Sequence, residues 1–155
     1  MSKAKGIGFG LTSGVITTLG MIVAIYLLSE DKAIIVGGIL SIAIADSVSD
    51  AFGMYISKES DKKRNLGHIW SATLWTFLSK FSITTTFLIP VLLLPLSISI
   101  PLCVVWGYLL LTVLSVKVAK DRKDSVLYAV FERLSTMTVV LFVVFLTERF
   151  ISRFQ

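Results

Sequence analysis

Two aspartates, Asp46 and Asp50, stand four residues apart in the middle of an apolar run that starts near Ala33. On a helix, residues with this spacing share one face, about 6 Å apart along the axis. One turn further along the same stripe is Met54, a soft thioether. Two carboxylates with a sulfur beside them form a ligand set for a divalent cation. Carboxylate oxygen suits Mg, Mn, Ca and Fe(II), and a thioether favours the softer of these. Carboxylates held close together also exchange protons as a unit, so such a site can trade protons for a cation. The competing reading is a buried ion pair that only fixes helix packing. Its candidate third member is Lys80, near the centre of a later apolar run. A lysine at that depth must snorkel, lose its charge or find a carboxylate.

The helix that must position these acids is marginal by itself. Two central aspartates cost about 5 to 7 kcal/mol on an insertion scale. The ten Ile, Leu, Val and Phe residues between Ile34 and Ile56 return about 3 to 6. Such a helix needs neighbours. Beside the acidic stripe, Ala33, Gly37, Ser41, Ala45, Ser49, Gly53 and Ser57 recur every fourth residue, and all are small. A small-residue face lets another backbone approach closely. The first apolar run has a similar face in Gly6, Gly10 and Gly14, a double G-x-x-x-G. Its neighbouring stripe, Ser13, Thr17 and Met21, offers two hydroxyls and a sulfur to line a pathway. Hydroxyls in such helices also bond back to their own carbonyls, which is the plainer role for Ser13 and Thr17.

The chain has 155 residues, of which 55% are hydrophobic. That composition predicts an all-α integral membrane protein of one domain, residues 1–155. Five transmembrane helices are expected, at about 6–28, 33–57, 69–89, 101–119 and 125–150. Pro90 and Pro95 are read as ending the third helix. Pro101 is read as the first residue of the fourth, and Asp124 or Ser125 as the cap of the fifth. The two N-terminal lysines before an apolar run suggest a signal peptide, but the run is too long and lacks a cleavage site, so it is kept as a helix. Ten Lys and Arg residues fall on the side of the N-terminus, of Lys58 to Arg64 and of Lys117 to Lys123. Lys32, Arg149 and Arg153 fall on the other. The N-terminus is therefore expected in the cytoplasm, with the identity of the membrane open.

The net charge of +5 does not point to nucleic acid, because the cations cluster between apolar runs. The loop from Lys58 to His68 is read as solvated, with anionic lipid headgroups as a second candidate contact. The lone Cys103 is read as a small packing residue, and the sole histidine, His68, as interfacial. Glu132 and Arg133 are neighbours on the fifth helix and point about 100° apart, so each is expected to reach the interface or another helix. No nucleophile with a histidine partner, phosphate loop or zinc spacing is present in the sequence. Neither an enzyme nor a covalently bound cofactor is expected.

Two segments together resemble the vacuolar iron transporter family. Gly10-Leu-Thr-Ser-Gly-Val-Ile-Thr-Thr-Leu-Gly20 is similar to that family's first-helix motif, Asp-Gly-Ile-Val-Thr-Thr. Ala45-Asp46-Ser-Val-Ser49-Asp50-Ala-Phe-Gly53-Met54-Tyr55-Ile-Ser57 is similar to its Ala-Asp-x-x-Ser-Met-x-x-Gly-acid-Tyr-x-Ser. The stretch from Pro90 to Pro95 resembles its Pro-Leu-x-Pro. Ser13 stands where the first motif has its aspartate, and Asp50 and Met54 exchange the methionine and acid of the second. The glutamate-rich cytoplasmic insert of some family members has no counterpart in Lys58 to His68, and Lys80 is foreign to the pattern. The resemblance implies a homodimer that exports Fe2+ or Mn2+ from the cytosol in exchange for protons, through a pathway between the first two helices at the two-fold axis. Asp46, Asp50 and Met54 would then be metal ligands, with Ser13 and Thr17 lining the path. The alternative expectation is a non-transporting structural or accessory membrane subunit, in which Lys80 neutralises an aspartate permanently.

Overall fold

The computed structural model describes residues 2–60, 66–122, 125–151 and 153. All of its regular structure is helical. α1 covers Ser2–Leu28. The second span is built from α2, Lys32–Ser41, a wide π-helical turn at Ile42–Asp46, and α3, Ser47–Glu59. α4, Leu66–Thr86, and the short α5, Leu88–Leu93, make the third. α6, Leu96–Arg122, and α7, Val126–Ile151, are the fourth and fifth. These are five helical stretches of 25 to 28 residues, each long and apolar enough to cross a membrane.

Consecutive spans run up and down, as short links demand. Tyr55 meets Trp70 edge to face, and Lys3 lies over the Trp75 ring at 5.8 Å. These contacts gather the start of α1, the end of α3 and the start of α4 at one end, hereafter the basic end. At the other end Asp31 caps α2 by accepting from the Ala33 amide at 2.7 Å. Beside it, the Lys32 ammonium donates to the carbonyls of Leu92 at 2.8 Å and Leu94 at 3.2 Å. It satisfies carbonyls that the end of α5 leaves without helical partners.

α1 is the central element and packs on every other span. Its Val15, Leu19 and Ile22 are fully buried and meet Ile35 and Ile39 of α2, Phe87, Val91 of α5, Leu111 of α6 and Met137 of α7 in one core. Cys103 is buried in the same core, in keeping with a packing role. α7 is the most peripheral span, and Met137 is its one fully buried side chain among the described residues. Lipid is as apolar as Leu, so close fit between helices, rather than exclusion of water, must hold these contacts. The glycines supply that fit. A Cβ on Gly6, Gly10 or Gly14 would collide with Ala72, Thr76, Ser79 or Ile83 of α4. Gly107 brings α6 against Leu19, and Gly38 brings α2 against Met21 and Ile25.

The helix ends differ from the sequence expectation at the prolines. Pro90 does not end the third span. It removes the bond to the Thr86 carbonyl four residues back, and the helix breaks there, turns through Phe87 and resumes to Leu93. The Phe87 amide closes that turn on Thr84 at 3.1 Å. Pro101 does not open the fourth helix, which starts at Leu96 directly after Pro95. The Pro95 carbonyl accepts from Ile98 and Ser99, so Pro95 occupies the capping position. Pro101 lies inside the helix near its start, where a proline is tolerated in a membrane span. The Ser125 carbonyl accepts from Ala129, which places Ser125 at the entry to α7. Asp124 lies outside the described residues.

Candidate functional site

Lys80 is fully buried on α4, and its stem crosses the glycine face of α1. A Cβ on Gly14 would sit 3.2 Å from Lys80 Cγ, and one on Gly10 3.2 Å from the Lys80 amide nitrogen. A side chain at Gly14 would crowd the stem, and one at Gly10 would push the α4 backbone away from α1. The ammonium emerges between the two aspartates of the second span. Lys80 Nζ lies 2.6 Å from Asp46 Oδ2 and 2.5 Å from Asp50 Oδ2. It also donates to Ser13 Oγ at 3.0 Å, and the Ser13 hydroxyl in turn donates to Asp50 Oδ2 at 2.6 Å. Three spans thus contribute to one polar cluster: Ser13 from α1, Asp46 and Asp50 from the second span, Lys80 from the third.

The two carboxylates are not equivalent. Asp50 is held by both Lys80 and Ser13 in hydrogen-bonding geometry. Asp46 Oδ2 touches the ammonium as an ion pair, but it makes no hydrogen bond. Asp46 is also the more open, with a third of its side chain exposed against a fifth for Asp50. One ammonium against two carboxylates leaves a formal charge of −1.

The backbone around Asp46 is locally unusual. The Ser47 amide reaches back to the Ile42 carbonyl, five residues earlier, so the turn ending at Asp46 is wider than an α-turn. Such turns concentrate at functional sites. The wide turn also straightens the small-residue stripe. An every-fourth repeat drifts about 40° per step on an ideal helix, and a slower-winding turn takes part of that drift back. All seven stripe residues, from Ala33 to Ser57, are exposed. Gly37 and Gly53 have open space where a Cβ would stand.

Of the residues singled out in the sequence, Asp46, Asp50, Lys80 and Ser13 meet. Thr17 faces the same side of α1, but its hydroxyl donates to the Ser13 carbonyl at 3.0 Å, the plain back-bonding role. Met54 is half-buried one turn beyond Asp50 on α3. Among the described residues, no group of three or more His, Cys, Asp or Glu side chains is placed to hold a metal ion. A cation at this site would therefore draw on the two carboxylates, hydroxyls and a thioether of one chain, or on a second chain. Sequence reasoning missed the bridging part played by Ser13. It also missed Ser47, a fully buried hydroxyl without a hydrogen-bond partner next to Asp46. Glu132 and Arg133 lie far from this cluster along the chain, beside a cleft at the basic end. Comparison with family models, with curated proteins and with solved structures finds no match.

Proposed function

We propose that this chain is a proton-coupled cation transporter that works as a homodimer, with Asp46 and Asp50 as the exchange site. One observation carries the reading: a single buried lysine answers two carboxylates, and the more exposed of them, Asp46, makes no hydrogen bond through the oxygen that meets the ammonium. A charge left over in a membrane interior is costly as mere architecture and useful as a carrier. Two copies meeting along the open stripe from Ala33 to Ser57 would bring two such clusters together around a two-fold axis. Their combined surplus is −2, which matches one divalent cation or two protons. Carboxylate and hydroxyl oxygens with Met54 nearby suit Fe2+ or Mn2+ as the transported ion. The resemblance of the first sixty residues to vacuolar iron transporters points the same way, with export from the cytosol and the basic end inside. Lys80 is then a tethered counter-ion that holds the empty site together between transport events.

A second reading has its own observation. Lys80 is wholly buried and touches both acids, as a permanent structural ion triad would. On that reading the chain is an accessory membrane subunit that binds no metal. Calorimetry on purified protein with Mn(II), Fe(II), Co(II) and Zn(II) separates the two, followed by uptake into proteoliposomes. Micromolar binding that is lost in Asp46→Asn with Asp50→Asn, and uptake lost in Asp46→Asn, is the expected result. Absence of binding to all four metals would overturn the transporter reading in favour of the structural one.

A further inference from the structure

A second polar site lies at the basic end, between the last turns of α6 and the first turns of α7. A cleft of about 370 Å³ there is lined by Val118 and Ala119 on one side and by Ser125, Tyr128, Glu132 and Arg133 on the other. Its two charged residues are adjacent in sequence and diverge by about 100° around the helix, too far apart in direction to satisfy each other well. Arg133 Nη1 is buried and has no hydrogen-bond partner. A guanidinium stays charged and is built to grip the paired oxygens of a phosphate or carboxylate. Glu132 is exposed and lines the same space. The cleft thus offers a cation with a buried nitrogen, an exposed anion, and the hydroxyl groups of Ser125 and Tyr128.

We infer that this cleft binds the zwitterionic headgroup of an aminophospholipid, its phosphate on Arg133 and its primary ammonium on Glu132. The depth fits. Ser125 precedes the first residue of α7 and Arg133 is eight residues on, about 12 Å by helical rise, which spans from the headgroup layer into the upper hydrocarbon. The surroundings fit as well. Leu127 and Phe131 on the same turns of α7 are largely exposed and suit acyl chains. An anionic lipid such as phosphatidylglycerol would satisfy Arg133 with its one phosphate charge but offers Glu132 only neutral hydroxyls and no cation. A choline headgroup carries no N–H to give the carboxylate. The inference is independent of the cation site, since none of these residues belongs to the Lys80 cluster.

The test is native mass spectrometry of the delipidated full-length protein titrated with short-chain phosphatidylethanolamine, phosphatidylcholine and phosphatidylglycerol. The ethanolamine lipid is expected to bind about tenfold tighter than either of the others, the scale of one charge-assisted hydrogen bond. Arg133→Gln should weaken its binding about tenfold, with partial recovery in Arg133→Lys. Glu132→Gln should weaken phosphatidylethanolamine binding to the level of phosphatidylglycerol, so that the preference disappears, while phosphatidylglycerol binding through Arg133 changes by less than about twofold. Unchanged helix content and elution volume show that each variant folds. Equal affinity for the three lipids, or a preference that survives both Gln variants, would overturn the inference. Free phosphoethanolamine binding as tightly as the lipid would overturn the assignment to a membrane component.

Discussion

Two faces of small residues run along this molecule, and they meet opposite fates. Gly6, Gly10 and Gly14 of α1 are buried against α4, so closely that added Cβ atoms would collide with its backbone and side chains. The seven small residues from Ala33 to Ser57 on the second span are all exposed. The first face acts within the chain, where it lets the Lys80 stem cross α1 and reach the acids. The second lies beside those acids and open to whatever comes next. A small-residue pattern therefore marks the capacity for close approach, and only the packed structure shows whether that capacity is already taken up.

The contrast can be broken most severely from the residue that the closed face encloses. Lys80→Met leaves two carboxylates near one another without a counter-ion and should destabilise the protein by about 3–5 kcal/mol in detergent unfolding. Adding Asp46→Asn and Asp50→Asn to Lys80→Met should recover most of that loss, and failure to do so would show that packing, not charge, is at stake. Gly10→Ala should cost about 1–3 kcal/mol through overpacking against Thr76 and Ser79. Gly53→Leu, on the open face, should change the stability of the single chain by no more than about 0.5 kcal/mol. Its effect should appear in self-association, read by cross-linking in membranes. Unaltered cross-linking would remove the open face as the proposed site of self-association. The smallest effect is expected of Thr17→Val, within about 0.5 kcal/mol, because its hydroxyl serves only its own helix; a larger loss would show a role for Thr17 beyond back-bonding.

Much of this architecture is legible in the residues. Five apolar runs with charged links define five spans, and a lysine at membrane depth must snorkel, lose its charge or find a carboxylate. Three features of the helices are not legible, each for a physical reason. Periodicity identifies a helix face but not its neighbour, so the α1 glycines and the second-span stripe look alike in sequence. The wide turn at Ile42–Asp46 has no sequence signature: Ile-Ala-Ile-Ala-Asp would fit an ordinary α-turn equally well. Prolines in an apolar setting are ambiguous, since neighbouring helices can satisfy the carbonyls they free. Hence Pro90 kinks a span that the pattern alone would end, and Pro101 lies inside one that the pattern alone would begin. At the site, charge and depth make a carboxylate partner one of three outcomes open to Lys80, and both its contact with Asp46 and Asp50 and the bridging Ser13 hydroxyl need the actual crossing of α1 and α4.

The Lys32 contact has a consequence for how the chain is made. Lys32 opens the second span, yet the carbonyls it caps belong to Leu92 and Leu94, about sixty residues later in synthesis. Asp50 likewise waits thirty residues for Lys80. While the ribosome is still working on the third span, the second holds two acids without their counter-ion and a terminal cation without the carbonyls it caps, so its insertion is marginal at best. It should therefore stall at the translocon until α4 and α5 arrive, and the two spans should enter the bilayer together as a helical hairpin. Glycosylation reporters fused after Glu59 and after Leu94 would show this directly, with poor integration of the shorter chain and full integration of the longer.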